Sequence, residues 1–254
     1  MKKLNYEIYG NGKIVVFIHG FLEDLSIWKN FPLEKLNYTK ILIDLPGHGC
    51  SICNLSMKSL SDVAKYILIN CPELSTEKTN TIDIIGHSLG AYIGIELRKL
   101  LKNPGKLIFY HSHFLGDSIE RKLKREKAIL LVRENKKTFI RESIPLLFME
   151  KNRLKPYVFD LIKKAQNCDL ETIVLYLSLM KNRADESTFI LSIKENISVI
   201  HGFYDQLITE KELKSLKNII TVYTISHTSH MSFLEDKVNS WKVIKKFIFS
   251  EETV

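Results

Sequence analysis

Three kinds of side chain in this sequence could together perform acyl chemistry. Gly86-His87-Ser88-Leu89-Gly90 places a serine between two glycines, after the apolar run TIDII and before AYIGIELRKLL. A serine on a sharp strand-to-helix turn has its hydroxyl exposed, and only small neighbours let the backbone close there. A hydroxyl is a weak nucleophile at neutral pH, so it needs a base, and the base needs an orienting acid. Asp205, in HGFYDQLIT just past the run SVIHG, is the candidate acid. The stretch HTSHMSFLED supplies two candidate bases, His227 and His230.

His230 is the better placed of the two. It abuts the start of the closing helical run, where its ring would reach back over the sheet edge, with Met231 and Phe233 to anchor it. His227 lies nearer the end of the preceding strand. The pair also has metal-like i, i+3 spacing, but no cysteine or carboxylate set accompanies it, so no metal is expected. No organic cofactor is expected either. The chemistry further needs two backbone N–H groups aimed at the developing oxyanion. Leu89, directly after the serine, offers one, and Phe21 in His19-Gly20-Phe21 offers the other. Asp44, at another strand end, precedes the serine and reads as a cap for the following PGHG turn.

The elements that must position these residues alternate in type. Apolar, β-branched runs at 13–20, 40–49, 81–90 and 106–112 read as buried strands, interleaved with helical patterns at 59–72 and 90–105. Such alternation predicts an α/β fold built on a doubly wound, mostly parallel sheet. From about Asp117 to Ile193 only helical segments occur, broken by Pro145 and Pro156. Strand patterns resume at 196–202 and 218–226, before a final amphipathic helix, SFLEDKVNSWKVIKKFIF. The expected organisation is a first core part over 1–115, a helical cap over 116–194 and a second core part over 195–254.

With these motifs in place, the chain resembles the cap-bearing members of the α/β-hydrolase fold superfamily. The matching features are HGF, DLPGHGCS at 44–51, GHSLG, the aspartate of GFYDQL and the late SHMSFLE, in the family's order. The resemblance implies Ser88 as nucleophile, Asp205 as acid and His230 as base, with Phe21 and Leu89 forming the oxyanion hole. Two positions depart from the usual pattern. Ala91 stands where many relatives carry glycine, and Ser229 precedes the histidine where glycine is common. His19, His87, His111 and Phe148 are candidate residues of the substrate pocket.

Composition narrows the partners. Of 254 residues, 45% are hydrophobic and 26% charged, as in an ordinary globular chain, and no apolar run approaches the ~18 residues of a membrane span. The start shows no apolar leader, so a cytoplasmic location is expected. The net charge of +8 comes mostly from lysine, without the aromatic-interleaved basic stripe or zinc-finger spacing of a nucleic-acid binder. Arginines are concentrated in the cap, including Arg121, Arg125, Arg133 and Arg141; one or two turned inward could hold a substrate carboxylate or phosphate. Cys50 and Cys53 form a CxxC without a second pair, and free thiols are expected.

The leading expectation is therefore a serine hydrolase of a small carboxylic ester, thioester or related acyl substrate. One rival keeps the triad for a C–C lyase or an eliminating synthase of the menaquinone-biosynthesis kind, acting on an anionic substrate. Another is a ligand receptor with a slow hydrolase site. The oligomeric state is not legible in the sequence.

Overall fold

The computed structural model describes residues 3–75, 81–208 and 210–248. Seven strands form one sheet: β1 (Tyr6–Tyr9), β2 (Ile14–Ile18), β3 (Thr39–Ile43), β4 (Ile82–His87), β5 (Pro104–Tyr110), β6 (Ile197–Gly202) and β7 (Thr221–Ile225). Their spatial order is β1-β3-β2-β4-β5-β6-β7, and every neighbour pairs in parallel except β1 with β3. Strands covered on both faces must be apolar throughout. IVVFI meets that demand, and TKILI and IDIIGH meet it except at the buried Lys40, Asp83 and His87, of which Lys40 Nζ donates to Leu36 O at 2.8 Å and Asp83 pairs with Lys13 at 2.8 Å.

Helices α1 (Leu60–Asn70) and α2 (Leu89–Leu100) lie side by side. α1 starts with a capping box in which Ser59 and Asp62 satisfy each other's backbone N–H groups. α2 starts directly from β4, with no residue between them except Ser88. The chain between β5 and β6 is helical: α3 (Ile119–Ser143, kinked at Asn135), α4 (Pro156–Ala165), α5 (Leu170–Lys181) and α6 (Ser187–Ser192). α7 (Glu210–Lys217) separates β6 from β7, and α8 (Ser232–Glu235) with α9 (Lys237–Ile248) closes the described chain.

The sheet matches the predicted fold class, and four details refine the sequence reading. β1 is a short antiparallel edge strand that no apolar run announces. α7, a polar helix after the acid loop, carries no strong pattern either. Pro104 and Gly105, within the helical pattern expected over 90–105, open β5 instead; a proline is tolerated at a strand's first residue. The final helical run is two helices, divided where Asp236 turns back to accept from Asn239 N and Nδ2 at 3.1 and 2.7 Å.

Strand order fixes where a site can form. From β2 the chain moves to one side for β3 and then returns to the other side for β4, so β2 and β4 flank the point where the winding reverses. Loops leaving the C-terminal ends of strands diverge at such a point and leave a crevice. His19-Gly20-Phe21 leaves β2 there, and Ser88 leaves β4 beside it.

Candidate active site

Ser88 sits at φ 49°, ψ −114°, a conformation that costs a non-glycine residue roughly 1–3 kcal/mol. Its surroundings explain how the turn survives. A methyl group on Gly86 would collide with the Ala91 backbone, and one on Gly90 with the Ile18 carbonyl. Backbone anchors add to this: Ser88 N donates to Tyr110 O at 2.9 Å, and Ser112 Oγ donates to Ser88 O at 2.9 Å. Ala91 is fully buried in this packing, so the departure at that position is accommodated.

Four non-glycine residues among those described have positive φ: Leu22, Ser88, His111 and His227. Leu22 directly follows Phe21. The loop there is tied by Gly20 N–H, which donates to Glu23 Oε2 at 2.6 Å. The same oxygen lies 2.9 Å from His87 Nδ1, and His87 Nε2 is 3.1 Å from the His230 carbonyl. Glu23 and His87 thus connect the loop after β2, the serine turn and the loop that carries His230. Leu89, first residue of α2, belongs to the helix turn whose N–H groups have no acceptor within the helix. Phe21, Glu23, Ser88, His111 and His230 all line one cavity of 840 Å³.

The carboxylate and imidazole predicted from sequence meet. Asp205 Oδ2 accepts from His230 Nδ1 at 2.9 Å, and its Oδ1 accepts from Leu207 N at 2.9 Å and Ile208 N at 3.3 Å. Burial pushes the Asp205 carboxyl up, but the facing His230 and the N–H donation of His111 and His230 more than offset it and hold it well below the usual range. For His230 the balance runs the other way. Burial alone would lower it, and the charge and hydrogen bond of Asp205, helped by Glu23 and Glu235, raise it above the ordinary histidine value. His227 is exposed and is not among the residues lining the cavity.

Ser229 makes one bond that glycine could not. Its Oγ donates to Tyr204 O at 3.1 Å and ties the loop of His230 to that of Asp205, while its backbone N–H, which glycine would also offer, donates to Glu235 Oε2 of α8 at 2.6 Å. Glu235 Oε1 also accepts from Met149 N at 2.7 Å and Asn152 Nδ2 at 2.9 Å, joining the helical insert to the same loop.

The pocket expectations divide. His111 is in the cavity wall, whereas His19, His87 and Phe148 are not. His19 is buried with Nε2 accepting from Leu45 N at 2.9 Å, so its ring braces the loop after β3. His87 is committed to Glu23 and the base loop, and Phe148 packs on Tyr157 with ring centroids 5.6 Å apart. Sequence reasoning missed Glu23, whose only signal is its place three residues after Gly20. Asp44 does brace its turn: Leu25 N, Cys50 N and Asn5 Nδ2 donate to it at 2.7, 2.9 and 2.7 Å.

Arg121, Lys124 and Arg125 of α3 also reach the cavity wall. Both arginines already face protein carboxylates. Arg121 pairs with Glu212 at 2.8 Å and approaches His113 Nε2 at 2.9 Å, and Arg125 pairs with Asp117, which Arg183 also meets at 2.6 Å. The cysteines are free, and Cys53 Sγ accepts from Thr172 Oγ1 at 3.0 Å, its thiol pushed up chiefly by burial. His111, Asp205 and His230 also form a group close enough to share a metal ion, with ligand atoms within 4.8 Å of one another. Those atoms are engaged instead in Nδ1–H to carboxylate hydrogen bonds. No helix among the described residues is long and apolar enough to cross a membrane.

A parallel sheet carrying a strained serine turn at its switch point defines an α/β enzyme of the hydrolase type. The chain belongs to the alpha/beta hydrolase family, which it matches over residues 15–236. It is similar to the pimeloyl-[acyl-carrier protein] methyl ester esterase of Wigglesworthia glossinidia brevipalpis, 27% identical over 98% of both chains. A shorter match, 30% identical over 81 residues, is to the 2-succinyl-6-hydroxy-2,4-cyclohexadiene-1-carboxylate synthase of Escherichia coli. That match spans 32% of this chain and 31% of the synthase, and the first curated match extends over only 23% of its relative. Among solved structures, a thermophilic esterase from Thermogutta terrifontis superposes with a TM-score of 0.86 at 24% identity, over 98% of this chain and 94% of that one.

Proposed function

We propose that this enzyme is a serine hydrolase that cleaves a small carboxylic ester or thioester through an acyl-enzyme on Ser88. The observation that carries the reading is the Asp205–His230 hydrogen bond, with His230 and Ser88 in the wall of one cavity. His230 Nε2 takes the Ser88 proton as Oγ attacks the substrate carbonyl. The Phe21 and Leu89 amides receive the oxyanion, each such donor contributing on the order of 10²–10³ in rate. Collapse of the tetrahedral adduct expels the alcohol or thiol, which leaves with the proton from His230. Water, deprotonated by His230, then attacks the acyl group and releases the acid. The helical insert over 116–194 serves as the cap of the pocket.

The cavity volume falls within the range of small-molecule sites, which favours a substrate of modest size. The reading is tested with a panel of p-nitrophenyl esters and acyl thioesters, together with fluorophosphonate labelling. Wild type should turn over at least one short acyl substrate and be labelled at Ser88. Ser88→Ala should lower kcat by about 10⁴–10⁶ and abolish labelling. Unchanged turnover in Ser88→Ala would remove the proposal.

A second reading draws on Arg121 and Arg125 in the cavity wall: a triad used for proton abstraction from an anionic substrate, as in an eliminating synthase or a C–C lyase. It is the weaker of the two because Glu212 and Asp117 already neutralise those guanidinium groups. Tight binding of a small dicarboxylate, without fluorophosphonate labelling of Ser88, would reverse that order.

A further inference from the structure

Asp205 carries a second imidazole. His111 Nδ1 lies 3.0 Å from Oδ2, the oxygen that His230 Nδ1 approaches at 2.9 Å. An ionised carboxylate only accepts hydrogen bonds, so each ring nitrogen facing it carries its proton. The acceptor of His111 is then Nε2, and Ser232 Oγ stands 2.7 Å from it as donor. Ser232 Oγ in turn accepts the Tyr110 hydroxyl proton at 2.6 Å. With that tautomer the chain of donors runs from Tyr110 through Ser232 and His111 to Asp205. Gly202 N–H also points at His111 Nδ1, at 3.3 Å, and that nitrogen does not accept it while it carries the proton given to Asp205.

The position is held at a cost. His111 is fully buried, one residue past β5, with φ at +51°, and its N–H is fixed on Ile200 O at 2.7 Å. A residue whose only task was to fill the core would need neither a strained backbone nor an ordered chain of three polar side chains. With Nδ1 and Nε2 both committed, its ring is not a second base. What sets it apart from an ordinary core histidine is that its partner is the very oxygen the base uses.

We infer that His111 is a positioning residue of the acid–base pair: it holds Asp205 in place and draws off part of the negative charge that stabilises the His230 imidazolium. The inference rests on the reading of His230 as base. Burial, against the pull of Asp205, pushes His111 down to about 3, so it stays neutral while His230 cycles. Other titratable groups also face this pair. They are His87, with its ring centroid 5.1 Å from His230 and 5.7 Å from His111, Glu23 behind His87, Glu235 on the Ser229 amide, and Tyr110 at 4.7 Å from His111.

The test is an NMR titration of the His230 ring in the resting full-length protein, paired with the pH profile of kcat/KM on a p-nitrophenyl ester. His111→Phe keeps the ring volume and removes both hydrogen bonds. It should raise the His230 midpoint and the acid limb together by about 0.5–1 pH unit, and lower kcat about tenfold or more at nearly constant KM. His111→Gln, whose amide can donate to Asp205, should restore most of both. Should His111→Phe fail to fold, Ser232→Ala serves, because it frees the His111 proton to leave Nδ1; it should shift the midpoint in the same direction by less. An unshifted His230 midpoint in the folded variants overturns the inference, whatever the activity. Full ester turnover in His230→Ala would instead strike the base assignment, while the titration still decides whether the two rings share the charge of Asp205.

Discussion

The floor and the roof of the cavity are built differently. On the floor, strand ends deliver Ser88, His111, Asp205 and His230, all but the serine in buried positions, and the polar atoms of Asp205, His111 and His87 have protein partners. In the roof, α3 is 25 residues long yet buries only Val132 and Ile140, and it leaves Ile119, Leu123, Leu130 and Leu131 exposed. Val132 and Ile140, with the half-buried Ala128, Ile129 and Phe139, carry its apolar contact, and its polar contacts with the other inserted helices are surface ones, such as Arg133 with Glu171 and Lys136 with the Gln166 and Cys168 carbonyls. A buried hydrogen-bonded network fixes atoms to fractions of an ångström because every alternative leaves a polar group unpaired. Exposed ion pairs contribute little and tolerate rearrangement. On the function proposed above, chemistry belongs to the floor and substrate choice to the roof.

The sharpest way to break that contrast is to disturb the floor without changing its shape. Asp205→Asn keeps the volume but gives the base a partner without charge, so kcat should fall by about 10³–10⁴ with KM little changed. A loss under tenfold in steady-state kinetics would mean that Asp205 does not orient the base. The pH profile comes next. His230 is raised above its ordinary value of 6.5, and only its neutral form can accept the serine proton, so the acid limb of kcat/KM should lie above pH 6.5 and fall tenfold per unit below it. A limb below 6.5 would contradict the charge balance described above.

Stability should report the buried histidines, of which His111 belongs to the floor. His48, His111 and His113 are held neutral down to about 3, chiefly by burial, whereas unfolded histidine protonates near 6.5. Between those values the unfolded chain binds protons that the native protein refuses, so stability is lost as pH falls through that window. Calorimetry between pH 7 and 4.5 should show a falling Tm; a flat Tm would mean these rings find water or a charge partner. The roof should respond more mildly. Arg121→Ala removes the pairing with Glu212 and should change KM about three- to tenfold with kcat nearly unaltered. Lys124→Ala breaks only an exposed pair with Glu120 and should leave both constants within about twofold.

Much of the site was legible because its motifs are local. Ser88 announces itself through Gly86 and Gly90, which the turn requires within a few residues. His230 was separable from His227 by its place beside a helix start. The role of Ser229 was not legible, since a serine in a loop acquires meaning only from the Tyr204 carbonyl and Glu235 near it. His111 was read as a pocket residue, and its link to Asp205 could not be seen. The two residues are 94 positions apart and meet only because β5 and β6 are neighbours. The inward arginines were anticipated, but their pairing with Glu212 and Asp117 was not.

The sequence by itself determined the alternation of strands and helices, the strained serine turn, the order serine–aspartate–histidine and the place of the helical insert. Each of these is written in patterns a few residues long, where backbone sterics and apolar periodicity act. Tertiary structure alone decided which buried polar groups share partners: Glu23 with Gly20 and His87, and His111 with Asp205 and Ser232. Those contacts join loops from different strands, and a hydrogen bond forms only where the packed sheet brings donor and acceptor within about 3 Å.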